Sequence, residues 1–212
     1  MENMLLHSGT VFMGFFAIMN PIANIPVFLG LTSDDDQQTT KAVAFRSLML
    51  AFTIVAVFSL AGKVILDLFG ITLPAFRITG GLLVFLIGFH MLQGNQSSVH
   101  QLNEEDTKKS RDAALSVAVS PLAIPILAGP GTIATAMNLS ARGGLPEIMV
   151  TIGAFAVLCI LTYVLFVSGE KFVTYIGAGA LGVITRMMGL ILAVIGTQML
   201  IEGVKGAFNL AG

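Results

Sequence analysis

The chain has 212 residues, 55% of them hydrophobic and 11% charged, with a formal net charge of −1 and a mean hydropathy of +0.89. A soluble domain carries about 25% charged residues, so this composition excludes an ordinary soluble fold and defines an integral membrane protein. The near-zero charge argues against a nucleic-acid partner; the lone cysteine, Cys159, excludes an internal disulfide, and no Cys/His spacing suits a metal or other cofactor.

A spanning helix needs about 20 mainly apolar residues. Six stretches meet that requirement: Leu5–Leu31, Ala42–Phe69, Leu73–Leu92, Ala113–Leu139, Ile148–Val167 and Ala180–Ile201. The first has no basic segment before it and reads as a retained span, not a cleaved leader. Within it lies Asn20-Pro21-Ile22-Ala23-Asn24-Ile25-Pro26. The fourth holds Ser120-Pro121-Leu122-Ala123-Ile124-Pro125, followed by Gly129-Pro130-Gly131-Thr132. Proline removes a backbone donor and clashes with the preceding turn, and it pushes the residue before it toward extended geometry. Both spans therefore read as pairs of half-helices.

Gly70 and Pro74 punctuate the connection between spans two and three, and Gly143-Gly144 with Pro146 that between spans four and five. One long polar connection, Gly94–Asp112, carries Glu104-Glu105-Asp106, Lys108-Lys109 and Arg111 and reads as a solvated linker. The chain divides into residues 1–93, a cytoplasmic linker 94–112, and residues 113–212. With the N-terminus outside, the cytoplasmic side holds Lys41, Arg46, Lys108, Lys109, Arg111 and Lys171, and Arg186 lies toward it. The outer side holds Lys63, Arg77, Arg142 and Lys205. This bias places both termini outside.

The third and sixth spans resemble each other. Gly81-Leu82 to Gly88, Met91 and Leu92 fall at the spacing of Gly189-Leu190 to Gly196, Met199 and Leu200. Three spans, a linker and three spans again make an internal repeat, and an odd number of spans per unit inserts the second unit upside down. The sequence thus predicts an all-α membrane protein of six transmembrane helices, built as two inverted-topology three-helix repeats with helices 1 and 4 broken by Pro/Gly motifs. Paired breaks in such a repeat point to a binding site near the bilayer midplane.

Several motifs carry a family resemblance. They are Asn20-Pro21 through Pro26-Val27-Phe28; Phe69-Gly70-Ile71 with Phe76-Arg77-Ile78-Thr79-Gly80-Gly81; Pro121 to Pro125 with Ala128-Gly129-Pro130-Gly131; and Val183-Ile184-Thr185-Arg186-Met187-Met188-Gly189. In this order, over nearly the whole chain, they resemble the MarC/SnatA (NAAT) family. The resemblance implies a multi-pass protein of the bacterial or archaeal inner membrane. It also implies transport of small neutral amino acids, of the glycine and alanine class, across the lipid bilayer.

The residues suggest how such a cargo could be held. A half-helix N-terminus offers free N–H groups and partial positive charge, and the preceding half-helix offers carbonyls, so a broken helix suits both ends of a zwitterion. Asn20 and Asn24 either bind ligand or hold the break's own backbone and neighbouring helices. Ala23 and Ala123 permit close approach of a ligand or of another helix. Ser120 and Thr132 are the hydroxyl candidates, although such side chains often bond their own helix. Gly129 and Gly131 permit backbone exposure at the ligand. Arg77 and Arg186 read either as gates or carboxylate clamps or as snorkelling and capping arginines.

Thr79-Gly80-Gly81 and Met188-Gly189 are expected to bring the third and sixth helices close to the broken ones. His90, paired with Gln198 in the repeat, reads as an interfacial histidine, while His7 and His100 fall outside the spans. Asp67, Glu170 and Glu202 sit near span ends and none lies at mid-helix, so the chain either moves its substrate down a gradient, couples to an ion (proton or sodium) held by backbone carbonyls, or uses Asp67 through a re-entrant path. A carrier, a channel for a small neutral solute and a membrane protein without flux all remain open. An enzyme is disfavoured, since no nucleophile–base or metal-protease motif occurs.

Overall fold

The computed structural model describes residues 2–32, 35–93, 127–141 and 144–208. Among these all regular structure is helical: α1 (Glu2–Met19), α2 (Pro21–Leu31), α3 (Gln37–Leu68), α4 (Leu73–Leu92), α5 (Pro130–Ser140), α6 (Leu145–Val167) and α7 (Gly169–Ala207). Five stretches are long and apolar enough to cross a membrane: Leu6–Leu31, Gln37–Gly62, Leu73–Leu92, Leu145–Val167 and Gly179–Ala207. These agree with five of the expected spans. The fourth expected span is represented by α5, and its first half lies outside the described residues.

Local chemistry sets the helix ends. Asp36 caps α3 by accepting from Thr39 N–H at 2.8 Å, and Thr72 caps α4 by accepting from Ala75 N–H at 3.3 Å, each satisfying an orphan first-turn amide. Pro21, Pro74, Pro130 and Pro146 stand in first turns, where a missing N–H costs nothing. The long α7 is bent at Gly177, whose φ of 79° and ψ of 156° are open essentially to glycine alone.

Two packing units position the site. In the first, α4 and α7 run antiparallel with backbone against backbone. A Cβ at Gly81 would lie 2.7 Å from Gly196 O, one at Gly189 would lie 2.8 Å from Gly88 O, and one at Gly203 would lie 2.9 Å from Pro74 O. Glycine at these points lets the helix axes approach as in small-residue membrane packing. The expectation for these glycines is met in part. Gly80 does approach a broken helix, with a Cβ there 2.9 Å from Ala134 Cβ of α5, but Gly81 and Gly189 seat α4 and α7 on each other.

In the second unit, α1 and α2 together run parallel to α6. His7 Nε2 lies 2.6 Å from Glu147 Oε2. Further along, Phe15 meets Phe155 edge-on with ring centroids 5.1 Å apart, and Phe28 stacks on Phe166 at 4.4 Å. His7 is therefore part of the α1–α6 contact and not a residue outside the first span. α3 packs behind, with Gly62 against Met137 of α5 and Leu48 O near Cys159 Sγ at 4.0 Å.

The core is apolar, and unlike that of a soluble protein the outer surface is apolar too. Leu60, Val64, Met149, Ile160 and Val183 are exposed on the outside, whereas Asn20, Asn24, Thr132, Thr135, Asn138, Thr151 and Thr162 are buried. Apolar side chains facing outward, with the polar residues of the spans drawn inside, is the arrangement a hydrocarbon solvent selects.

Candidate functional site

The first break is one residue wide. Asn20 adopts φ 42° and ψ 65°, and is the one non-glycine residue with positive φ among the described residues. Asparagine tolerates this left-handed conformation because its short carboxamide bonds locally. Its backbone N–H closes α1 by donating to Phe16 O at 2.9 Å, and its carbonyl accepts from Asn24 N–H at 3.2 Å. Its Oδ1 accepts from Ala23 N–H at 3.3 Å, and Asn24 Nδ2 donates to Met19 O at 2.7 Å.

Asn24 and Ala23 therefore serve the break's own backbone. One group is left over: Asn20 Nδ2 is buried without a partner, in a residue only 4% exposed. Pro26, expected to bound the break, sits inside a continuous α2. Its ring is accommodated one turn into the half-helix, and the chain departs from helix at Asn20 alone.

The second break ends at Gly129, which is extended at φ −66° and ψ 172° and precedes Pro130. With no side chain at this position, α5 has no side-chain cap, and the N–H groups of Gly131 and Thr132 lie in the uncapped first turn. Thr132 is buried. A Cβ on Gly131 would lie 2.9 Å from Ile18 Cδ1 and 3.0 Å from Ile87 Cδ1. Ile18 is two residues before Asn20, so the fold brings the end of α1 and the start of α5 into contact. α2 and α5 are both 11 residues long, each opening on a proline. Ser120 and Ala123 lie outside the described residues.

Above this junction a cleft of about 890 Å³ opens between α1, α5 and α7. It runs from Leu6 to Gly14 along α1 and from Ile191 to Glu202 along α7, toward the end of the bundle where α1 begins and α7 ends. Its polar lining is Thr10, Thr135, Asn138, Gln198 and Glu202. Thr10 donates to Leu6 O at 2.9 Å, whereas Thr135 Oγ1 is buried without a partner. Gln198 Nε2 approaches Glu202 Oε1 at 3.5 Å.

Arg77 reaches across from α4, and its Nε–H donates to Asn138 Oδ1 at 2.6 Å. Arg77 thus fixes an asparagine of the cleft wall, whereas Arg186 is exposed on α7. His90 is half-buried in the last turn of α4. Neither Asn20 nor Gly131 lines the cleft, so two polar regions lie one behind the other. Asn138 and Thr135 were not singled out in the sequence, and Gln198 and Glu202 were noted only as the repeat partner of His90 and as a carboxylate near a span end. The signal was there in part: Thr132, Thr135 and Asn138 recur every three residues and form one polar stripe on a helix.

Five apolar spans, an apolar outer surface and buried polar residues at helix breaks define a polytopic membrane protein. The chain belongs to the MarC family of integral membrane proteins, whose pattern it matches over residues 5–208. It is similar to the UPF0056 membrane protein YvbG of Bacillus subtilis, with 40% identity over 199 residues covering 93% of this chain and 94% of the relative. A UPF0056 membrane protein of Pyrococcus abyssi is 39% identical over 202 residues, covering 95% and 96%. YhcE of Escherichia coli is 33% identical over 201 residues, covering 93% and 91%. Its relatives thus come from bacteria and archaea alike. No solved structure matches the chain.

Proposed function

We propose that this protein is a secondary transporter that moves small neutral amino acids, of the glycine and alanine class, across the cell membrane by alternating access. The observation that carries the reading is the packing of the end of α1, next to the first break, against the proline-opened start of α5, beside an Asn20 that holds a buried, unpartnered amide donor. Helix N-termini and a spare donor suit a carboxylate, and carbonyls freed at the break suit an ammonium group. Asn20, Gly129, Gly131 and Thr132 are the binding residues, with Ala23 and Asn24 shaping the break. Ser120 and Ala123 complete the set from the segment before it. Arg77 acts by holding Asn138, and Arg186 is its counterpart on the other side.

The architecture proposed is six spans in two inverted three-helix repeats. Gly129 follows Asn20 by 109 residues and Gly189 follows Gly81 by 108, which makes Gly129-Pro130, rather than Ser120-Pro121, the partner of Asn20-Pro21. The glycine contacts support a two-fold relation: Gly81 meets Gly196 while their repeat partners, Gly189 and Gly88, meet each other. Both termini are placed outside, and a proton or sodium ion is the coupling partner. Tight seating of Ile18 and Ile87 on Gly131 below an open cleft favours a carrier over a standing pore.

The test is uptake of labelled glycine and alanine into proteoliposomes, with and without imposed proton and sodium gradients. Saturable uptake with counterflow is expected. Absent flux, or flux that never saturates, sinks the carrier. In the same assay Gly131→Val should abolish uptake while the protein still inserts and folds, because its branched side chain would wedge Ile18 from Ile87; normal uptake by that variant removes Gly131 from the site.

A further inference from the structure

The cleft between α1, α5 and α7 has polar groups divided in a way that specifies a ligand. On the α5 wall, Asn138 is 2% exposed, and its Oδ1 is occupied by the Arg77 Nε–H at 2.6 Å. The carboxamide is thereby oriented so that its Nδ2 is the end available as a donor. One turn earlier on the same face, Thr135 is 4% exposed, and its hydroxyl is buried with no partner. A buried hydroxyl left unpaired is costly, and this one lies in the wall of a cavity wide enough for a small molecule. The Arg77 charge stands behind the Asn138 donor. On the α7 wall the polar groups are Gln198 and the Glu202 carboxylate, one turn apart.

A donor wall backed by positive charge thus faces a wall carrying a carboxylate. We infer that the cleft is a second binding site, separate from the half-helix junction, that takes a small zwitterion. The ligand's carboxylate is received by Thr135 Oγ1–H and Asn138 Nδ2–H, and its ammonium group by Glu202. Leu6, Met13, Ile191 and Ile195 supply an apolar surround, so specificity rests on the two charged ends, while the side chain meets only contacts that tolerate variation. The inference rests on the transporter reading for the ligand's fate, and not for its binding.

The test is equilibrium binding of labelled alanine to the full-length protein in lipid nanodiscs. Competitors are unlabelled alanine, propionate, which keeps only the anionic end, and ethylamine, which keeps only the cationic end. Alanine should compete, and neither single-ended analogue should at the same concentration. Glu202→Gln and Thr135→Val should each weaken binding by about tenfold or more, while Thr135→Ser and Glu202→Asp recover most of the affinity. An unchanged thermal midpoint separates this effect from misfolding.

No binding by the unmodified protein, equal competition by propionate, or unchanged affinity in both Glu202→Gln and Thr135→Val overturns the cleft site. Binding with this pattern, but without uptake into proteoliposomes, upholds the cleft site and removes the transporter reading alone.

Discussion

Asn20 concentrates the chemistry of the first break in a single residue. Its backbone supplies the left-handed turn, its Oδ1 caps α2, and its Nδ2 is left without a partner in the interior. Replacement by glycine separates these roles, since glycine enters the same φ and ψ without strain. Asn20→Gly should therefore insert and fold, with uptake reduced about tenfold or more from loss of the donor; full activity in the proteoliposome assay would leave the amide with no part in binding. Arg77 offers a different separation. Lysine keeps the charge but lacks the planar fork that holds Asn138. Arg77→Lys should raise KM by about threefold to tenfold with kcat within about twofold, as expected for lost ground-state positioning. A fall in thermal midpoint at unchanged KM would mark the arginine as structural only.

At the scale of elements, the glycine seam between α4 and α7 is the least forgiving part of the molecule. A Cβ at Gly196 would fall on Phe85 N and lie 2.6 Å from Gly81 O, against backbone that has no freedom to yield. Gly196→Leu should prevent assembly of the bundle, read as loss of monodisperse protein after extraction. Gly182 lies in the same helix with nothing within 4 Å of a Cβ, and Gly182→Ala should change stability by no more than about 1 kcal/mol. Helices of this kind are legible in sequence, because 20 apolar residues in hydrocarbon have few alternatives; five spans overlap the stretches the sequence predicts, with ends displaced by up to seven residues.

The glycine partnerships were not legible, since they depend on which helices meet. Pro26 shows a second limit. Proline flags a disturbed turn, but here the left-handed residue is the asparagine before Pro21, and α2 passes through Pro26 unbroken. Asn20 and Gly131 stood out because proline sits beside them. Asn138 did not, because a polar residue in a span acquires meaning only from what faces it, here an arginine 61 residues away in the chain.

At the scale of the whole molecule, a cleft extends along α1 toward the end carrying the termini, while the junction of α1 with α5 is tightly packed. Water should fill the open part. Single cysteines at Thr10 and Gln198, introduced with Cys159 replaced by Ser, should react with a membrane-impermeant thiol reagent added from that side. A cysteine at Val57, exposed on the outer apolar surface, should not. Equal reactivity at all three positions would mean that the cleft is no more hydrated than the lipid-facing surface.

The cleft's depth has an electrical consequence. From Leu6 to Gly14 the helix rises roughly 12 Å, a large share of a hydrocarbon layer about 30 Å thick. A conducting column of water over that distance leaves the applied field to fall across the remainder. An ion carried through the junction would then sense most of the potential, worth about 2.3 kcal/mol per charge for each 100 mV, in a short stretch around Ile18, Asn20 and Gly131. A cargo with no net charge would cross the same stretch at no electrical cost. Current recorded during uptake would therefore count the co-transported ions directly.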